Sequence, residues 1–298
     1  SLMDKYNMYS IGLFQQFGNV PQEGIELLNF AKRFSADLQN KGFYDVDDVD
    51  KLVFTFGNVA EDIADVNADC PIIVIPGIMG SRLYHIDNRI TPPYEAQVWD
   101  PVNANGDLNL LNLGYIDYKN NLFVKHNNIN QVNATNREYG PTDIYRNLVD
   151  ALCGYFPNRE VYFFSYDFRA SNIESAKELK GIINTILHGK KWDKVDLICH
   201  SMGGLVASSY VAQNGPETIH KVVTMGTPYE GATKLLWATL TKDVLDDPIK
   251  DIALNLSGLT TSVKARFPSM PQLAPTEELF SQTQDNYQRQ IWRKDNMT

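Results

Sequence analysis

Ser201 lies in a run whose residue types favour nucleophilic chemistry, Cys-His-Ser-Met-Gly at 199–203. The apolar segment Val195–Cys199 before it predicts a buried strand, and Met202–Gln213 after it predicts a helix. So tight a turn needs small residues two positions before and after the serine, here cysteine and glycine, a slight departure from Gly-x-Ser-x-Gly. It raises the hydroxyl above the sheet edge and directs the first helical N–H groups at any negative charge formed there. We therefore predict that Ser201 is a nucleophile rather than only a helix cap.

A second run, Pro-Gly-Ile-Met-Gly-Ser at 76–81, directly follows the apolar segment Ile72–Ile75, which predicts a central strand. Glycines let a backbone approach a reacting oxygen closely. In serine hydrolases whose nucleophile lies on a strand-to-helix turn, the loop after such a strand supplies an oxyanion donor. We predict the backbone N–H groups of Ile78 and Met202 as the two donors. The alternatives are a plain strand terminator or a phosphate loop, but no Gly-Lys-[Ser/Thr] follows.

The elements that must position these residues alternate along the chain. Strand and helix signals at this spacing predict βαβ units and a mainly parallel sheet with helices on both faces, an α/β-hydrolase core. The remaining predicted elements are a helix over Asp143–Cys153, a strand over Val161–Ser165, a helix over Glu174–Leu187 and a strand over Lys221–Met225.

Three segments do not follow this alternation. Residues 1–69 read as a helical N-terminal extension, because 21–42 carries a broad apolar helical face. Within the predicted core domain, 70–298, the long asparagine-rich stretch 84–140 predicts a functional insertion. Residues 229–265 contain amphipathic patterns that predict a pair of helices just past a strand end.

The composition of the 298-residue chain narrows its partners. A net charge of −9 argues against nucleic acid and favours a neutral or zwitterionic substrate. The three cysteines form no metal pattern. Buried free thiols are favoured, with a Cys70–Cys153 disulfide as the alternative, so the cysteines do not determine the redox compartment or the cell location. No transmembrane segment is expected, since the strongest apolar run, 71–79, is too short.

Six runs occur in the order seen in the lecithin:cholesterol acyltransferase-like family of α/β-hydrolases, which includes lysosomal phospholipase A2 and bacterial relatives. They resemble it across roughly residues 70–275 and read PGIMGSRL (76–83), VWDP (98–101), SYDFR (165–169), HSMGGL (200–205), GTPYEGA (226–232) and FPSMPQLAP (267–275). The resemblance implies attack on an acyl-lipid ester, an acyl-Ser201 intermediate, transfer to water or an alcohol, and peripheral contact with a lipid interface. It also implies that the insertion 84–140 is cap-like, that the segment 229–265 is lid-like, and that both cover the acyl groove. No metal or organic cofactor is expected, because this route uses only protein groups.

The sequence does not identify a catalytic acid or base. Such folds place the acid and then the histidine after the nucleophile, and the only later histidine, His220, begins a strand far from the elbow. We therefore expect the last strands, with the acid and the histidine, beyond Thr298. The predicted function is a lipase- or phospholipase-like ester hydrolase or O-acyltransferase. Another serine esterase or thioesterase, or a non-catalytic binding module, is the alternative. The lipid, the acceptor and the oligomeric state are not determined by the sequence.

Overall fold

The computed structural model describes ten stretches of the chain, and they fall into two compact units. These stretches are 8–15, 42–46, 69–88, 91–99, 108–111, 122–125, 127–128, 138–232, 267–274 and 276. The first unit comprises Ser1–Ser81, Lys125–Tyr166 and Ile173–Thr227, and the second comprises Arg82–Val124, Asp167–Asn172 and Pro228–Thr298. The strands are β1 Met8–Gln15, β2 Gly42–Val46, β3 Ile72–Ile75, β4 Leu83–Asp87, β5 Tyr94–Trp99, β6 Asn127–Asn128, β7 Val161–Phe163, β8 Val195–His200 and β9 Ile219–Met225. The helices are α1 Arg146–Tyr155, α2 Asn172–Leu187 and α3 Met202–Asn214.

The first unit is built on a seven-stranded sheet with the order β2-β1-β9-β8-β3-β7-β6. All neighbours are parallel except β6, which runs antiparallel to β7. The central strands are nearly continuous apolar runs because both faces of the sheet are covered. On one face, side chains such as Val74, Ile198 and Val223 pack against Leu148 and Leu152 of α1. The carboxyl ends of β3 and β8 therefore meet at the same edge of the sheet, where the glycine-rich loop and Ser201 follow.

The predicted core elements agree closely with the observed ones. The strand at 72–75 has the predicted bounds, and the other core elements differ by one to three residues at their ends. The chain has the parallel sheet and flanking helices of an α/β-hydrolase. The three thiols are free, with Cys70 and Cys199 buried.

Two described stretches within 1–69 are strands, where the sequence predicts a helical N-terminal extension. Met8–Gln15 and Gly42–Val46 are strands that extend the sheet beyond β9, with Ile11 paired beside Met225. Within the first strand, Tyr9, Ile11 and Leu13 alternate with the small residues Ser10 and Gly12, which fits the two-residue period of a strand. The helix predicted over 21–42 lies outside the described residues apart from the start of β2, and the domain boundaries, the cap and the lid stay predictions.

The second unit contains an antiparallel hairpin and an aromatic cluster. Strands β4 and β5 pair from Leu83 with Trp99 to Asp87 with Tyr94. Phe168 contacts both Trp99 and Phe267, with ring centroids 5.8 and 6.4 Å apart. Two short 3-10 turns, Leu108–Leu111 and Pro271–Leu273, also lie in this unit. Among the described residues of the whole chain, no helix has the length and apolar character needed to span a membrane.

Candidate active site

Ser201 occupies a backbone conformation that few residues other than glycine adopt. Its φ is 51° and its ψ is −124°. Conformations of this kind cost about 1–3 kcal/mol and persist only where the surrounding structure imposes them. Here the Ser201 N–H donates to the Met225 carbonyl at 2.8 Å, and the Ser201 carbonyl accepts from the Gly204 N–H at 3.0 Å. Strand β8 therefore turns into helix α3 at the serine, as the sequence predicts.

The small residue two positions after the serine, Gly203, is required because α3 begins directly against the end of β3. A Cβ at Gly203 would lie 2.4 Å from the Ile75 carbonyl oxygen and 2.6 Å from that of Pro76. Backbone atoms of a central strand cannot move aside, so only glycine fits. On the other side of the serine, the buried Cys199 supplies the second small volume, and burial raises the pKa of its thiol, which stays protonated.

The glycine-rich loop lies against the serine side chain. A Cβ at Gly77 would be 2.9 Å from Ser201 Cβ and 3.4 Å from Ser201 Oγ. A tight turn follows, in which the Gly80 N–H donates to the Gly77 carbonyl at 3.0 Å and Met79 has a φ of 59°. Within the described residues, the N–H groups of Ile78 and Met202 make no hydrogen bond. Ile78 follows Gly77, which lies against Ser201, and Met202 follows the serine itself, so their assignment as oxyanion donors stays a prediction.

A buried tyrosine connects the loop to the residue before the nucleophile. The Gly77 N–H donates to the Tyr145 hydroxyl at 2.9 Å, and that hydroxyl lies 2.7 Å from His200 Nδ1. The Gly77 N–H can only donate, so the Tyr145 oxygen accepts there, whereas either Tyr145 Oη or His200 Nδ1 donates in the second bond, according to the histidine tautomer. Burial lowers the pKa of His200 to about 4, so the ring is neutral near pH 7. Its Nδ1 is already engaged and is not placed to act as a base.

His220 is not placed to act as a base either. Its Nδ1 lies 2.8 Å from Asp196 Oδ1 at the amino-terminal ends of β9 and β8. Ser201 lies five positions after Asp196, just past the end of β8, a span of roughly 16 Å. This agrees with the structural role that the sequence suggests for His220. No described residue is therefore assigned as the catalytic base or acid.

The groups around His220 resemble a metal site but contain their own cation. Ligand atoms of Cys70, Asp196 and His220 lie within 4.8 Å of one another. The Arg159 guanidinium contacts Asp196 Oδ2 at 2.5 Å and Cys70 Sγ at 3.4 Å, and so supplies the positive charge. Burial, with Asp196 nearby, raises the pKa of Cys70 to about 11 and keeps its thiol protonated, which makes it a poor metal ligand. We assign this cluster to the cohesion of β3, β8 and β9.

Sequence reasoning missed the two tyrosines that contact the loop, Tyr145 and Tyr166. The Tyr166 hydroxyl donates to the Pro76 carbonyl at 2.9 Å. Tyr166 belongs to the run Ser-Tyr-Asp-Phe-Arg, which is one of the six runs of the family resemblance. The resemblance marks this run but does not say what its tyrosine does. Nothing near Tyr145 in the sequence marks it.

The parallel sheet, the strained serine at its carboxyl edge and the adjoining glycine loop define an α/β-hydrolase. The family described as "Lecithin:cholesterol acyltransferase" matches residues 128–297, more than half of the chain. The chain belongs to that family.

Relatives with curated descriptions match shorter stretches. An uncharacterized Saccharomyces cerevisiae protein, YJR098C, is 39% identical over 90 residues, which are 30% of this chain and 13% of the relative. Phospholipase A(1) LCAT3 of Arabidopsis thaliana is 33% identical over 101 residues, 30% of this chain and 22% of that protein. A triacylglycerol lipase of Pseudarthrobacter phenanthrenivorans is 36% identical over 92 residues, 30% of this chain and 25% of the lipase. The matches thus span a quarter or less of these relatives.

Proposed function

We propose that this protein is a lipid acyl-ester hydrolase or acyltransferase that works through an acyl-Ser201 intermediate. The observation that carries the proposal is the strained serine at the carboxyl edge of the sheet, with Gly77 against its side chain. A plain helix cap needs neither the positive φ nor the glycine approach. The names of the phospholipase and lipase relatives, together with the family match, support a lipid ester as the substrate class.

The reaction follows from where charge forms. Ser201 Oγ attacks the ester carbonyl carbon and gives its proton to a base that no described residue supplies. The carbonyl oxygen becomes negative in the tetrahedral intermediate and accepts hydrogen bonds from the N–H groups of Ile78 and Met202. The bond to the leaving alcohol then breaks, the alcohol departs with a proton, and the acyl group remains on Ser201. Attack by water or by a second alcohol releases it as a fatty acid or a new ester.

The two backbone donors account for a large share of the expected rate. Losing one such donor typically costs about 100- to 1000-fold in kcat. The N-terminus of α3 adds its positive dipole end to the same place. Both contributions act only on the charge that develops during reaction and leave the neutral substrate almost unaffected, which is the requirement for catalysis.

Release of fatty acid from phosphatidylcholine, triacylglycerol and a short-chain water-soluble ester tests the proposal. We expect the wild-type protein to hydrolyse a lipid, and Ser201→Ala to lower kcat by at least about 1000-fold. Ser209→Ala, in the same helix, is the control and keeps full activity. Equal activity of Ser201→Ala and wild type would overturn the proposed nucleophile.

The same panel separates the alternatives. Preference for the short water-soluble ester, without a rise in rate at a lipid interface, would instead indicate a general serine esterase. Two histidines, His200, which is engaged, and His220, at the opposite edge of the sheet, favour a non-catalytic lipid-binding module as the second candidate. That candidate predicts vesicle binding with no ester hydrolysis in either wild type or Ser201→Ala.

A further inference from the structure

The peptide group between Pro76 and Gly77 is held at both of its polar atoms by buried tyrosine hydroxyls. Its carbonyl oxygen accepts from Tyr166 Oη at 2.9 Å, and its N–H donates to Tyr145 Oη at 2.9 Å. Tyr166 is 0% exposed and Tyr145 is 3% exposed. A single peptide group therefore has two dedicated side-chain partners, which come from positions 90 and 68 residues away in the sequence.

Glycine at position 77 explains why this peptide group needs holding. A side chain there would collide with Ser201, so the position must be glycine. Glycine also accepts positive φ as readily as negative φ, so the peptide before it can rotate and exchange the directions of its N–H and C=O. That rotation would point the Pro76 carbonyl oxygen at Tyr145 and the Gly77 N–H at Tyr166, and it would shift the amide of Ile78, the next residue.

Each tyrosine is itself fixed in place. The Tyr166 N–H donates to Ser81 Oγ at 2.9 Å, and its ring stacks on Phe164 with centroids 5.8 Å apart. The Tyr145 ring lies 5.6 Å from Phe163 and 5.7 Å from His200. The Tyr145 oxygen accepts from the Gly77 N–H and also makes a hydrogen bond with His200 Nδ1, so two neighbours hold the hydroxyl in place. Burial raises the pKa of both phenols, which remain protonated near neutral pH.

We propose that Tyr145 and Tyr166 are positioning residues that clamp the Pro76–Gly77 peptide in one orientation and so keep the Ile78 N–H aimed at the oxyanion. This inference rests on the proposed function for its effect on rate, whereas the clamp itself is a property of the loop. Neither tyrosine takes a proton from the substrate. The clamp acts through the backbone and affects the transition state more than substrate binding.

Tyr145→Phe and Tyr166→Phe remove one hydroxyl each and keep the rings, so they test the clamp directly. We expect each to lower kcat by about 10- to 100-fold with KM within about twofold, because a misplaced donor affects the charged intermediate and not the neutral ester. The rate of labelling by a fluorophosphonate, whose tetrahedral adduct uses the same donors, falls by a similar factor.

Tyr210→Phe is the matched control. Tyr210 is also buried in the first unit, and its hydroxyl lies 2.7 Å from Thr218 Oγ1, near the carboxyl end of α3 rather than at the elbow. It loses a buried hydroxyl of the same kind, and we expect its kcat and KM to match wild type. A general loss of stability would affect all three variants, whereas loss of the clamp affects only two.

Hydrogen exchange of the Gly77 amide provides a test that does not depend on activity. We expect faster exchange in Tyr145→Phe than in wild type or Tyr210→Phe, because the acceptor of that amide is removed. If the wild type hydrolyses no ester, the proposed function fails and the exchange measurement still decides the clamp. The clamp is wrong, and the proposed function stands, if the wild type is active and both Tyr145→Phe and Tyr166→Phe match Tyr210→Phe in kcat and in Gly77 exchange.

Discussion

At the residue scale, the strained backbone of Ser201 lowers the stability of the fold and suits a catalytic role. The serine has a φ of 51° although it carries a side chain, and α3 packs so closely on β3 that the turn cannot relax. Residues held in this way at functional sites typically lower stability. The conformation therefore lowers the free energy of unfolding. A role as nucleophile explains why it is kept, whereas a role as a helix cap does not.

Replacing Ser201 by glycine should stabilise the protein while it removes the nucleophile. We expect Ser201→Gly to raise the free energy of unfolding by about 1 kcal/mol, because glycine adopts this conformation without strain. Ser209→Gly, inside the same helix, should instead lower it by about 0.5 kcal/mol through lost helix propensity. Urea unfolding of the two variants decides this, and destabilisation of both by the same amount would contradict the strained elbow.

His200 should make stability depend on pH. Its pKa is about 4 in the folded protein because of burial, against an ordinary value of 6.5. Between those two values the unfolded chain binds a proton at this residue that the folded protein does not bind, so stability falls as the pH falls from 6.5 toward 4. Above pH 6.5 the neutral His200 no longer lowers the free energy of unfolding, so stability no longer depends on pH through this residue.

Urea unfolding at pH 7.5 and pH 4.5 tests this dependence. We expect His200→Gln to lose less stability between the two pH values than wild type does. His188→Gln, which changes an exposed histidine at the end of α2, should follow wild type. An unchanged pH dependence in His200→Gln would show that this ring titrates normally.

The sequence predicts the elbow but not the groups that hold the loop. Small residues around Ser201 are a local signal, because the constraint is the turn itself. Tyr145 and Tyr166 meet Pro76 and Gly77 only after the sheet has brought distant segments together, so no local pattern marks them. The base and the acid are identified neither by the sequence nor by the contacts of His200 and His220.

At the element scale, the packing of α3 on β3 sets the position of the nucleophile. The first turn of α3 approaches the carbonyl groups of Ile75 and Pro76 so closely that residue 203 has no room for a methyl group. Gly181 of α2 provides the contrast, because nothing lies within 4 Å of the place its Cβ would take.

The two glycines should therefore respond in opposite ways to alanine. We expect Gly203→Ala to destabilise the protein by about 1–3 kcal/mol and to reduce activity, because overpacking displaces the start of α3. Gly181→Ala should stabilise it by about 1 kcal/mol through helix propensity. Thermal or urea unfolding distinguishes the two, and stabilisation in both cases would show that α3 does not press on β3.

Element predictions succeed where one pattern dominates and fail where two compete. The central strands are continuous apolar runs bounded by proline or turn residues, so their limits are clear from the sequence. The first strand is different. Its alternation is confined to Tyr9, Ile11 and Leu13, and the longer helical pattern at 21–42 dominated the interpretation of 1–69. Its place beside β9 depends on long-range pairing, which local patterns do not encode.

At the scale of the whole molecule, the net charge of −9 should govern which lipid surfaces the protein reaches. Like charge repels it from anionic vesicles, and salt weakens that repulsion. The screening length falls from about 30 Å at 0.01 M salt to about 8 Å at 0.15 M. A zwitterionic surface carries no such barrier.

Lipid hydrolysis should therefore respond to salt in a way that depends on the vesicle. We expect the rate on phosphatidylglycerol vesicles to rise with sodium chloride, and the rate on phosphatidylcholine vesicles to stay within about twofold. A short-chain soluble ester, measured at each salt concentration, controls for effects on chemistry. A rate on anionic vesicles that falls with salt would reveal a local basic surface that overrides the net charge.

The most direct test of the account is the position of a covalent adduct after reaction with a fluorophosphonate. Tandem mass spectrometry of the labelled wild-type protein should locate a single adduct on Ser201. The Ser201→Ala variant should remain unlabelled, and Ser209→Ala should label like wild type. An adduct on a different residue, or ester hydrolysis by a protein that never forms one, would contradict the assignment of Ser201 as the nucleophile.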